Sequence, residues 1–274
     1  MNKILILCTM VITLLSGCKD ITISQPNIDT QDMSKTNNTN ISRIALICSL
    51  TKVDPKYYDG WDGDCPGTDV DANNFKLLCE DNKIPYIKLE NSQCTINNII
   101  KNWTNCISKI SKDGLFIFFY SGHGGQVYNP NETDGCDETL CFWDGQFIDD
   151  RVWELLRKMP QEMRCFMVTD CCNSGSNYQL PYVKKVPYNL GSTKESKARG
   201  IIPNLLHIGG CNDGEYSYGS NRGGYLTLNL KKNYSKKISY YNWFELTKTS
   251  MRNSGQIPTF AETGKSFKHN VIFQ

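Results

Sequence analysis

The chain has 274 residues, 39% of them hydrophobic, which is enough for one sizeable mixed α/β core. Thirty Lys and Arg against 28 Asp and Glu leave a formal net charge of +2. So even a balance excludes recognition of nucleic acid or of an acidic membrane surface by bulk charge.

The N-terminus reads as an export signal: Met1-Asn2-Lys3, an apolar run from Ile4 to Leu15, then Ser16-Gly17-Cys18 and polar Lys19-Asp20. The run is too short to span a bilayer comfortably. Leu15-Ser16-Gly17-Cys18 resembles the lipobox of bacterial lipoproteins, in which the cysteine is acylated and anchors the chain. The expectation is an exported lipoprotein if the source is bacterial. A plainly secreted chain, or a chance match in a cytoplasmic one, is the alternative. Residues 19–42 are rich in Asn, Thr, Ser and Asp and read as a flexible tether.

Strand-length apolar runs follow at Ile44–Cys48, Ile84–Leu89, Leu115–Tyr120, Cys165–Thr169 and Leu205–Gly209. Ile96, Ile99, Ile100, Trp103, Ile107 and Ile110 recur with helical spacing, and Asp71–Glu80 and Arg151–Lys158 also suit helices. Continuous apolar strands alternating with amphipathic helices predict a three-layer α/β/α sandwich around a mostly parallel sheet. Ligands of such sheets bind beyond the carboxyl ends of the strands. Two of those ends carry chemistry. Tyr120-Ser121-Gly122-His123 leaves one, and Asp170-Cys171-Cys172 leaves another.

Of three histidines, His207 lies inside Leu205–Ile208 and reads as a core residue, and His269 falls in a basic C-terminal tail. His123, set among Gly122, Gly124 and Gly125, is the candidate base. A thiol attacks amide carbonyls well once a base has taken its proton, and Cys172 is the candidate nucleophile. The N–H groups of Gly124 and Cys172 are candidates for an oxyanion hole. Thirteen cysteines are many. Ten remain after Cys8, Cys18 and Cys172 are set aside, an even number that permits disulfides in an oxidising compartment. Cys48, Cys165 and Cys211, which sit in apolar runs, are expected to pack as small hydrophobes. No pairing of C-x-x-C with a matching His/Cys pair suggests zinc, and no organic cofactor is implied.

Ser121-Gly122-His123-Gly124, followed 49 residues after the histidine by Asp170-x-Cys172-x-Ser174-Gly175, resembles the metacaspases. Gly67-Thr68-Asp69-Val70-Asp71-Ala72, the acidic Asp134–Glu138 segment with Asp149-Asp150, Leu180-Pro181-Tyr182 and Gly210-Cys211-x-Asp213 extend the likeness over about residues 43–262. The resemblance implies a caspase-like fold and a cysteine endopeptidase acting on proteins or peptides as a monomer. It makes Cys172, rather than the neighbouring Cys171, the nucleophile. It also implies cleavage after Arg or Lys, with Asp71, Asp170 and the Ser121 hydroxyl forming the acidic S1 pocket. Many family members use calcium, and Asp137, Asp149 and Asp150 fall where the family's ligands lie. The family's fourth acid is replaced here by Gln179, which predicts weaker binding.

These readings divide the chain into a leader (1–18), a tether (19–42) and a peptidase domain (43–274). Within that domain, residues 43–183 are large-subunit-like and 201–274 small-subunit-like. Between them lies a basic loop, residues 184–200, whose lysines and arginine offer a site for self-cleavage. The contrasting expectations are an inactive caspase-like module that binds basic peptides, and a relative specific for Asn or Asp.

Overall fold

The computed structural model describes residues 41–129, 135–178 and 202–274. The leader, nearly all of the tether, the 184–200 loop and Gln179 lie outside the described residues.

Strand β1 (Ile41–Ser49) leads through a loop into helix α1 (Thr68–Asp81), strand β2 (Tyr86–Glu90) and helix α2 (Ile96–Lys109). Strand β3 (Ile110–Ser121) is followed by β4 (Gly124–Tyr128), β5 (Cys136–Phe142), β6 (Gly145–Ile148) and helix α3 (Asp149–Arg157). Then come β7 (Arg164–Asp170), β8 (Asn204–Gly209), the short ribbon β9 (Gly219–Ser220) and β10 (Gly223–Gly224), helices α4 (Tyr225–Asn233) and α5 (Tyr240–Ser250), and β11 (Thr259–Thr263).

Among the described residues, one six-stranded sheet runs in the order β11-β8-β7-β3-β1-β2. All its pairings are parallel except β11 with β8. Successive side chains of a strand point to opposite faces, and the core divides accordingly. Leu46 and Cys48 of β1 and Phe116, Phe118 and Tyr120 of β3 pack on one side with Trp103 of α2 and Trp153 of α3. Ala45, Ile47, Ile117 and Phe119 pack on the other with Phe75 of α1, Leu226 of α4 and Trp243 of α5. Helices therefore cover both faces, and the three-layer expectation holds.

Helix α2 shows how local sequence supports this plan. Thr95 caps it by accepting the Asn98 N–H through its side chain. Its spaced apolar residues turn one stripe inward, where the Trp103 ring lies 4.7 Å from that of Phe116 and 5.1 Å from that of Phe118.

Several boundaries differ from the sequence expectation. Ile110 opens β3 instead of closing α2. Ile41 and Ser42 belong to β1, so the tether ends before them. Of the acidic Asp134–Glu138 segment, residues 136–138 lie on β5, in a separate antiparallel sheet β4-β5-β6. β8 and β11, from the small-subunit-like part, complete the same sheet as β7 from the large-subunit-like part. Cys48, Cys165 and Cys211 are buried free thiols as expected, and so are Cys79, Cys94, Cys106 and Cys141. No helix among the described residues is long and apolar enough to cross a membrane.

Trp103→Ala should lower stability by about 3–5 kcal/mol, because it leaves a large cavity between α2 and the sheet. Urea unfolding of the two proteins followed by circular dichroism measures this.

Candidate active site

β3 and β7 are neighbours in the sheet, parallel, and paired so that Ser121 lies opposite Asp170. Each strand then stops and turns, so His123 and Cys172, equally far beyond that last pair, emerge at the same sheet end. The two turns touch. A side chain at Gly124 would place its Cβ 1.9 Å from the Cys172 carbonyl oxygen, so only glycine permits this approach. The Tyr120 hydroxyl, 2.8 Å from the carbonyls of both His123 and Cys141, fastens the histidine turn to β5.

His123 is buried, and its Nε2 lies 3.1 Å from the Gly63 carbonyl oxygen. A carbonyl only accepts, so Nε2 carries the proton and the lone pair sits on Nδ1. Burial pushes the imidazole's pKa below its ordinary value, against the opposing pull of the Gly63 and Asp64 backbone. The neutral ring is a base held in one tautomer. The indole of Trp61 rests against it, ring centres 4.6 Å apart. Cys172 is buried too, and its Sγ accepts from the Ser217 N–H at 3.4 Å. By contrast, burial, with nearby Cys211 and Cys172, raises Cys171 well above an ordinary thiol. His207 fills the core role expected of it: it is fully buried beside Thr169 Oγ1 at 2.8 Å and pushed down to about 3 by burial.

Beside Cys172 opens a cleft lined among others by Asp71, Ser121, Asp170, Ser217 and Tyr218. Asp71 Oδ2 accepts from Ser121 Oγ at 2.8 Å, and both its oxygens accept from Gly224 N–H at 2.9 Å. Asp170 Oδ1 accepts from Ser217 Oγ at 2.8 Å, and Oδ2 from the N–H and hydroxyl of Thr227 at 2.9 and 2.8 Å. Gly224 and Thr227 belong to the start of α4, whose unpaired N–H groups and dipole favour negative charge there. Even so, burial raises both carboxyl pKa values, and the Asp170 charge raises Asp71 further. The described lining residues include no Lys or Arg to balance the pair. A carboxylate has about four acceptor positions, so capacity remains for a cation in the cleft.

A second acidic group gathers Asp137 of β5 with Asp149 and Asp150 at the start of α3. Ligand atoms of Asp137, Asp149 and Asp150 all fall within 4.8 Å of one another. Asp150 Oδ1 is buried without a hydrogen-bond partner among the described residues. Burial, then the charges of Asp137 and Glu154, push Asp150 up to about 6. Three hard oxygen donors and an unsatisfied carboxylate atom fit a cation such as calcium.

The chain's sequence and fold both find relatives. Residues 68–181 match the family profile "Metacaspase, peptidase C14 domain". Metacaspase-3 of Arabidopsis thaliana is 32% identical over 164 residues, which cover 55% of this chain and 41% of that protein. Metacaspase-1 of Plasmodium falciparum is 33% identical over 165 residues, 56% of this chain and 25% of its own. A crystal structure of caspase-1 from Spodoptera frugiperda shares the fold, with a TM-score of 0.56 at 12% identity, covering 90% of this chain and 94% of that one. The chain has the caspase fold and resembles the metacaspase peptidase domain over residues 68–181. A solved protein from Geobacter sulfurreducens is also similar, with a TM-score of 0.68 at 26% identity, covering 85% of this chain and 98% of that one. This metacaspase-like chain spans less than half the length of the curated relatives named above.

Sequence reasoning named the acids and the dyad of this metacaspase-like site but missed the groups that hold them. The Gly63 carbonyl, Ser217 and Thr227 carry no motif. Gln256 is also silent in sequence, yet its Nε2 donates to Ser217 Oγ at 2.9 Å and to the Gly210 carbonyl at 2.8 Å. Gly223-Gly224 did offer a signal, a glycine pair just before a helical run. Nor does Asp71 cap α1, whose N-cap is Gly67.

His123 and His207 should separate in an NMR titration. His123 should protonate below the ordinary imidazole value of about 6.5, and His207 far below it. Because both are buried neutral, stability should fall as pH drops below that value.

Proposed function

We propose that this chain is a cysteine endopeptidase that cleaves after Arg or Lys. The observation that carries the reading is the pair Asp71 and Asp170, two buried carboxylates facing one cleft beside Cys172. A buried charge demands a partner, and the side chain of Arg or Lys supplies it. An Asp or Asn residue in that cleft would add acid to acid or leave the pair uncompensated.

In this reading Nδ1 of His123 takes the Cys172 thiol proton, and the thiolate attacks the scissile carbonyl carbon. The N–H groups of Gly124 and Cys172 stabilise the oxyanion. The imidazolium then returns its proton to the leaving amine as the C–N bond breaks. A water molecule, deprotonated by the same imidazole, hydrolyses the thioester and restores the thiol. Asp137, Asp149 and Asp150 would hold calcium, which supplies charge compensation for the three acids. Loop 184–200 is read as a self-cleavage site because it carries Lys184, Lys185, Lys194, Lys197 and Arg199. Localisation follows the leader and Cys18, as an exported, membrane-anchored monomer.

The test is dye release from peptides ending in Arg, Lys, Asp or Asn, with calcium or with excess chelator. Arg and Lys peptides should be cleaved, and Cys172→Ala or His123→Ala should abolish the signal and any cut in 184–200. Asp71→Asn should lower kcat/KM at least about 30-fold, the equivalent of ~2 kcal/mol for a buried charge left unpaired. Chelator should reduce the rate. Faster cleavage after Asp or Asn, or a Cys172→Ala protein as active as the parent, overturns the peptidase assignment. Full activity in chelator removes calcium alone.

A further inference from the structure

The acidic cleft accounts for the residue before the scissile bond and says nothing of the residue after it. Chemistry fixes where that second residue lies. The leaving nitrogen takes its proton from His123, so the nitrogen and the side chain next to it must pass over the imidazole. The side of the imidazole facing away from the cleft is therefore the leaving-group side. Neither His123 nor Trp61 lines the acidic cleft.

Trp61 is the aromatic group against His123, its ring tilted by 59° to the imidazole with centres 4.6 Å apart. It is only partly buried and packs its inner part on the core. The indole is held, not loose. Tyr58 meets it edge-on at 5.9 Å and anchors itself by donating its hydroxyl to the Phe142 carbonyl at 2.6 Å. The backbone that carries it is fixed too: the Trp61 main-chain N–H donates to the Tyr58 carbonyl at 3.0 Å, and the main-chain N–H groups of Val53 and Cys65 donate to the carbonyls of Asp62 and Thr51, each at 2.9 Å. A fixed, partly exposed indole offers apolar contact area with little ordering cost on binding. Exposed Asp64 adds negative charge beside this loop, whereas the charge of Asp62 is paired with Lys52 at 3.4 Å.

Building on the peptidase reading, we infer that Trp61 is a specificity-determining residue: it forms the wall of the leaving-group subsite and selects a large apolar residue immediately after the cleaved Arg or Lys. Asp64 disfavours an acidic residue there. The preferred substrates are thus peptides with a basic residue followed by an aromatic or a long aliphatic one.

The experiment uses the full chain and internally quenched peptides that share Arg before the bond and carry Phe, Leu, Gly or Asp after it. Phe and Leu should exceed Gly in kcat/KM by roughly 10-fold or more, the range for one apolar side chain in a pocket, with Asp slowest. Trp61→Ala should bring the Phe-to-Gly ratio to within about three-fold, and Trp61→Phe should restore most of it. A parent enzyme that cleaves all four peptides alike overturns the inference. So does a Trp61→Ala protein that slows all four by one common factor, because that pattern marks a group that only positions His123. Should Trp61→Ala fail to fold, the parent's preference and its behaviour in Trp61→Phe still decide. Failure of the parent to cleave any Arg or Lys peptide removes the peptidase reading itself, and the subsite with it.

Discussion

The in-register parallel pairing of β3 with β7 is the constraint on which the site depends. The pairing runs from Leu115 opposite Arg164 to Ser121 opposite Asp170. Both strands are buried on each face and flanked by further strands, so a slip of one residue would turn Phe116, Phe118 and Tyr120 toward the wrong layer of helices. The packing of two cores thus fixes the level at which the strands end. The turns that carry His123 and Cys172, remote in sequence, adjoin because hydrophobic register sets both strand ends at one height.

That register also brings Ser121 and Asp170 together at the floor of the cleft, with Asp71 arriving from α1. The arrangement opposes stability. Both carboxyl groups bind protons more tightly in the folded chain than their ordinary value of 3.8 allows. Stability contributed by these groups is therefore greatest in acid and declines as pH rises through that value toward the folded ones. Donors from α4 offset part of the cost, and a bound cation would offset more. Strain of this kind is expected where a protein holds charge ready for a ligand.

Much of this was legible beforehand, for physical reasons. The buried strands announce themselves as unbroken apolar runs, and the one helix with a clean stripe, α2, was placed to within a residue at its start. The turn that carries Cys172 and the glycines around His123 stood out because few structural roles need such residues together. What escaped the sequence was support by backbone and by distant polar side chains. The Gly63 carbonyl acts through an atom that every residue has, and Gln256 through a loop at the far end of the chain. The small sheet β4-β5-β6 was missed because its acidic strand has none of the apolar alternation that marks a half-buried one. Asp137 and Glu138 are buried nonetheless.

The glycine pair preceding α4 has a wider consequence. A methyl group on Gly224 would lie 2.3 Å from Asp170 Oδ2, and one on Gly223 would lie 2.4 Å from Asp71 Oδ1. A single-base change at either codon would thus jam the acidic cleft while every letter of the histidine and cysteine motifs stayed intact. Degenerate descendants of such a chain would still score as enzymes in any survey that inspects the dyad alone. The spacing and identity of this glycine doublet is the better marker of which copies keep a usable cleft.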